Sequence, residues 1–136
     1  MNDEKKTTTI EDTIEQAEQL EAEAQAEPNL GTYTHTFKRP FVYEGRTYEE
    51  LTFNWEGLSG KDSVAIEREL LNRNITTVMA EFTPEYLTAM AARACTYRND
   101  DGFRTVTTDM LYALPLGEFR RICSAARSFL LRAGSR

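Results

Sequence analysis

MAEFTPEYLTAMAARACTYRNDDGFRTVTTDMLYALPLGEFRRICSAARSFLL (Met79–Leu131) decides the reading of this chain. Thr83-Pro84-Glu85 opens a helix. Threonine suits the cap, proline loses no hydrogen bond at the first helical position, and glutamate favours the positive helix end. Leu87, Met90, Ala91, Ala94 and Arg98 form its stripe, which predicts a helix over about 84–97. Arg98-Asn99-Asp100-Asp101-Gly102 is a polar turn, and Phe103 and Arg104 break any calcium-loop spacing. Thr107 or Thr108 can cap a short helix over about 108–114. After Pro115, Leu116, Phe119, Ile122 or Cys123, Ala126, Phe129 and Leu130 make one wide apolar face, which predicts a helix over about 116–132. Such content suits packing and partner binding and offers chemistry little.

Upstream, Ser59-Gly60-Lys61-Asp62 resembles a capping box. Ile66 and Leu70 stack one turn apart, so a helix is expected over about 60–72. Glu67 and Glu69 point in different directions and do not make a catalytic acid pair. Before that helix, Tyr33–Phe37 and Phe41-Val42-Tyr43 are β-favouring, Glu44-Gly45 reads as a tight turn, and Leu51, Phe53 and Trp55 alternate on one side. Strands are expected across about 33–55. The fold class is therefore α+β, a small antiparallel hairpin or three-stranded sheet followed by three to four packed helices.

The 136 residues suit one domain over 31–136 preceded by an arm over 1–30. The arm holds nine acids against Lys5 and Lys6, a net −7. With −6 for the whole chain, the other 106 residues sum to +1. Ile10, Ile14, Ala17, Leu20 or Glu21, and Ala24 could share a helical face there, but the stripe is thin. The arm reads as a disordered tail or a marginal helix able to dock. The near-neutral body argues against nucleic-acid binding, and no apolar run reaches the ~20 residues of a membrane span. The acidic start is not a signal peptide. Cys95 and Cys123, 28 apart and without a CxxC, read as reduced, packed thiols.

No nucleophile–base pair, metal cluster or cofactor loop is visible. The chain reads as a non-enzyme without catalytic, cofactor or metal residues. His35, the only histidine, sits on a strand with no partner motif beside it. The candidate residues are for partner binding. Trp55, the only tryptophan, is either core or an interface anchor. Phe119, Arg120, Arg121, Ile122, Arg127 and Phe129 lie on the closing helix, and from Leu116 onward five arginines face one acid, Glu118.

In their order, "FKRPFVYEGRTYEELTF", "LSGKDSVAIERELL", "FTPEYLTAMAARA" and "LYALPLGEFRRICSAARSFLL" resemble the tail assembly chaperones of long-tailed bacteriophages, over roughly residues 33–131. Leu114-Pro115-Leu116, Phe119, Ile122 and Phe129-Leu130 carry the likeness most specifically. The resemblance implies a non-catalytic assembly factor in the host bacterial cytoplasm. Such a factor binds the tape measure protein, keeps it soluble while tail tube protein polymerises around it, and is absent from the finished virion. It also implies a longer form made by frameshifting near the end of the gene. Self-association stays open. A minor structural tail protein or another small protein-binding module is the alternative.

Overall fold

The computed structural model describes residues 31–134; the acidic arm, residues 1–30, and residues 135–136 lie outside the described residues. Strand β1 (Thr32–Tyr43) and strand β2 (Arg46–Asn54) form an antiparallel hairpin. Four helices follow: α1 (Gly60–Asn72), α2 (Pro84–Ala94), α3 (Thr108–Tyr112) and α4 (Leu116–Gly134). Short 3-10 turns lie at Trp55–Gly57 and Ala80–Phe82.

The hairpin turn is set by its two central residues. Glu44 and Gly45 both take positive φ, 48° and 77°, the primed turn whose twist matches paired strands. The partner of Thr36 is Glu50, but that of Phe41 is Tyr48, so β1 carries extra residues between them. Pro40 sits in this bulge, where its missing N–H breaks no ladder bond. The bulge also frees the Lys38 N–H, which donates to the Glu118 carboxylate of α4 at 3.1 Å.

One face of the hairpin carries Tyr33, His35, Phe37, Leu51 and Phe53, all buried, against the helices. A run of rings continues it. Phe53 stacks on Trp55 at 5.4 Å, and Trp55 lies 6.4 Å from Phe129 of α4. Leu87, Met90, Ala91, Ile122, Ala125 and Ala126 fill the α2–α4 seam, where small residues let the backbones approach.

Local signals place the helix starts, and only the Thr83 cap departs from expectation. Asp62 accepts from the Ser59 N–H at 2.8 Å at the start of α1. Thr107, rather than Thr108, accepts from Met110 N at 3.2 Å and caps α3. Thr83 precedes Pro84 as expected, but its hydroxyl donates back to the Met79 carbonyl at 2.7 Å and does not cap α2. Helix α1 ends with Asn74 at φ 62° and with Ile75 N donating to Leu70 O, the paired bonds of a Schellman stop.

Helix α2 stops at Ala94, three residues before the expected end at Tyr97, because the sheet takes over the backbone. Thr96 N donates to Thr52 O at 2.9 Å, and Cys95 forms a single bridge with Phe53. Of the two sheet expectations for residues 33–55, the two-stranded hairpin is the one formed among the described residues. Arg98 accordingly leaves the helix stripe and donates to the Cys95 and Tyr97 carbonyls. Asn99 Oδ1 accepts from the Asp101 and Phe103 N–H groups, which closes the polar turn. Both cysteines are buried free thiols.

Candidate partner-binding surface

Helix α4 divides its residues between two tasks. Ile122, Cys123, Ala125 and Ala126 face the core. Leu116, Arg120, Ser124, Arg127 and Leu131, spaced by four, four, three and four, fall on one opposite stripe. Leu116 is 70% exposed and Leu131 46%, Arg120 is exposed, and Ser124 and Arg127 are half-buried. At 1.5 Å per residue, the stripe runs for about 22 Å. Tyr112 flanks its first turn, with its ring 5.9 Å from that of Phe119. Phe82 flanks its far half, with the Arg127 guanidinium carbon 5.7 Å from the ring centroid. Val78, Met79 and Phe82, all exposed on the connector between α1 and α2, widen the apolar area there.

The seven residues singled out from sequence therefore part company. Arg120 is exposed and Phe119 is half-buried on the stripe's edge. Arg127 is held in place by donating Nε–H to the Glu81 carbonyl at 2.8 Å. Phe129 is half-buried against Trp55. Trp55 itself is 0% exposed, so core use, one of the two readings, describes this state. Ile122 is buried, and Arg121 is buried in an ion pair. Leu116, Leu131, Met79 and Phe82 were not singled out. For the two leucines the repeating interval along the final helix was an available signal; for the connector there was none.

A groove of about 260 Å³ lies beside the C-terminal half of α4, lined by Trp55, Leu58, Ile66, Met90, Phe129 and Leu130. The Trp55 indole N–H has no acceptor among the described residues. Elsewhere, a cleft between α1 and α2 holds Asp62 and Arg93 already paired at 2.9 Å. Burial pushes the Cys123 thiol up to about 11 and also raises that of Cys95, so neither is a poised nucleophile.

The most polar part of the interior is a line across the hairpin and α4. Tyr33 hydroxyl meets His35 Nδ1 at 2.9 Å, His35 Nε2 meets Glu118 Oε1 at 2.8 Å, and Arg121 donates to the same oxygen at 2.6 Å. A carboxylate can only accept, so Nε2 carries the ring proton. Burial alone would raise the Glu118 carboxyl, but the donors from Arg121, Lys38 and His35 outweigh it and hold the group below its ordinary value. A tyrosine, imidazole and carboxylate in series can move a proton in principle. At 2% and 1% exposure, Tyr33 and His35 are closed to any substrate, so the line acts as a clamp between hairpin and helix.

Among the described residues, no three His, Cys, Asp or Glu side chains gather as metal ligands, and no helix is long and apolar enough to cross a membrane. Comparison with family models, curated proteins and solved structures finds no match to this chain.

Proposed function

We propose that this protein is a phage tail assembly chaperone of the host bacterial cytoplasm, binding the tape measure protein and keeping it soluble while tail tube protein assembles. The resemblance across residues 33–131 motivates the reading, and the outward stripe of α4 carries it. That stripe sets Arg120, Ser124 and Arg127 between a leucine at each end over about 22 Å. It suits lateral packing of an elongated amphipathic helix whose apolar residues meet Leu116 and Leu131 and whose acids meet Arg120 and Arg127. Phe119 and Tyr112 at one end, and Met79 and Phe82 at the other, supply aromatic and thioether surface of the adaptable kind found where one protein handles a long, irregular partner. The arginines also accelerate encounter with acidic segments.

The test is co-expression with the candidate tape measure protein of the same genome, followed by pull-down and a solubility assay. Leu116→Asp and Arg120→Glu/Arg127→Glu are the informative variants, each checked for retained fold by circular dichroism. Arg121 is left alone because its partner is Glu118. The expected result is a soluble complex weakened at least about 30-fold by either variant, the scale of losing an interface hot spot. A complex indifferent to both folded variants would refute the surface. No complex and no gain in solubility would favour a minor structural tail protein, sought next in purified particles.

A further inference from the structure

We propose that the acidic arm, residues 1–30, folds back within its own chain onto the outward face of α4 and holds that face until a partner displaces it. The regulatory consequence rests on α4 being the partner face; the docking itself does not.

Three observations converge. The first is where the arm leaves the body. The Gly31 carbonyl accepts from Trp55 N at 2.7 Å and from Glu56 N at 3.3 Å, so the chain emerges beside Trp55, whose ring neighbours Phe129 of α4. The exposed Glu56 side chain lies over this glycine, within 2.3 Å of where a Cβ would stand. The arm thus starts at the C-terminal half of α4, next to the groove.

The second is charge. The arm carries a net −7 and the remaining chain +1. On α4, Arg121 is neutralised by Glu118, whereas Arg120 and Arg127 stand on the outward stripe. The opposite charge they call for is concentrated in the first thirty residues of the same chain. Tethering gives that acidic segment a high effective concentration against a face it could reach without a partner.

The third is length and pattern. Wound as a helix, the span from Ile10 to Ala24 measures about 21 Å, against about 22 Å for the α4 stripe. Ile10, Ile14, Ala17 and Ala24 recur at helical spacing. Glu18 and Glu21 follow Ile14 and Ala17 by four residues and bring acids alongside that face. Apolar and acidic positions on the arm answer the leucines and arginines of α4. The arm therefore resembles the segment that the proposed function assigns to the tape measure protein, and it would compete with it.

The experiment uses the full chain, nitrogen-15 labelled, with a nitroxide on Glu15→Cys; the buried Cys95 and Cys123 are shielded from the reagent. Docking is expected to broaden the amide signals of Arg120, Ser124 and Arg127. The broadening should vanish at about 1 M salt, where the Debye length is about 3 Å, and in Arg120→Glu/Arg127→Glu. It should return when Glu18→Arg/Glu21→Arg is added, which separates charge pairing from a folding defect. No broadening on α4 in the folded parent would overturn the proposal. So would broadening that appears only when spin-labelled chains are mixed with separate nitrogen-15 chains, since the occupant would then be a second copy. No tape measure protein enters this test, so its failure leaves the function of α4 standing, and failure of the pull-down leaves the docking standing.

Discussion

Removing the Glu118 carboxylate should cost more stability than any other single polar change in the described residues. Glu118→Ala withdraws the acceptor from three donors at once: Arg121 at 2.6 Å, His35 Nε2 at 2.8 Å and the Lys38 N–H at 3.1 Å. Arg121 then loses the buried carboxylate that lies 2.6 Å from its guanidinium, a loss of about 3–5 kcal/mol. The two orphaned N–H groups would each add about 1–3 kcal/mol if nothing relaxed. Arg121 retains some water contact, so about 4 kcal/mol is the working figure, out of the roughly 5–15 kcal/mol that holds a domain folded. Tm should fall by roughly 15–25 °C. Glu118→Gln keeps one acceptor oxygen but turns an amide donor towards donors, and should cost about 1.5–3 kcal/mol.

Urea titrations followed by circular dichroism, at neutral pH and in acid, read both size and sign. The folded-state carboxyl lies below its ordinary 4.5. Its contribution is therefore complete above that value and drains away as pH falls through the lower, folded-state value. The gap between parent and Glu118→Ala should close in the same acid window. A cost under about 1 kcal/mol, or independent additivity with Arg121→Ala, would refute the clamp.

The hairpin turn offers a gain. Glu44 at φ 48° pays a left-handed strain that asparagine bears more easily, so Glu44→Asn should add about 0.5–1 kcal/mol in the same titration, whereas Gly45→Ala should destabilise. Trp55→Phe should cost below about 1.5 kcal/mol, because the indole N–H it removes has no acceptor among the described residues. Trp55→Ala should cost about 3–5 kcal/mol, and calorimetry of the two would separate ring volume from polarity. The Cys123 thiol, pushed up to about 11 by burial, should resist an aromatic disulfide reagent at pH 8 until urea is added; prompt reaction of the folded protein would contradict its packing.

Features visible in the sequence were those whose cause is local. Pro84, Thr107, the Asp62 carboxylate and the Glu44-Gly45 turn act within a few residues, and they lie at the expected element starts and at the hairpin tip. What was hidden depends on distant partners. Helix α2 ends early because Thr52 of β2 accepts from Thr96. Strand β1 runs through Pro40 because a bulge absorbs it and Glu118 takes the freed N–H. His35 had no carboxylate near it in sequence because its partner is 83 residues away. Periodicity marked α4 as broadly apolar but could not say which arc α2 and the hairpin cover. Arg121 and Ile122 are therefore grouped with Arg120 in sequence, although about 100° of rotation from one residue to the next takes the helix from surface to core.

The clamp and the exposed stripe belong to one arrangement. A helix with several arginines and one acid would ordinarily scatter its charge around the axis. Here the acid sits three residues before the arginine that points inward, and it neutralises that arginine alone. Arg120 and Arg127 keep their charge on the outward stripe, with Arg127 aimed by the Glu81 carbonyl and the Phe82 ring. The same acid ties the first turn of α4 to β1 through His35 and Lys38, while Phe129 ties a later turn to Trp55. These two anchors stand eleven residues, about 16 Å, apart along the axis. A helix fixed at both points can neither roll nor slide, so the spacing of Leu116, Arg120, Arg127 and Leu131 is presented rigidly. Preorganisation of this kind would remove an ordering cost from the binding proposed for this face. The buried polar line thus sets the rotation of α4, and that rotation decides which of its residues face outward.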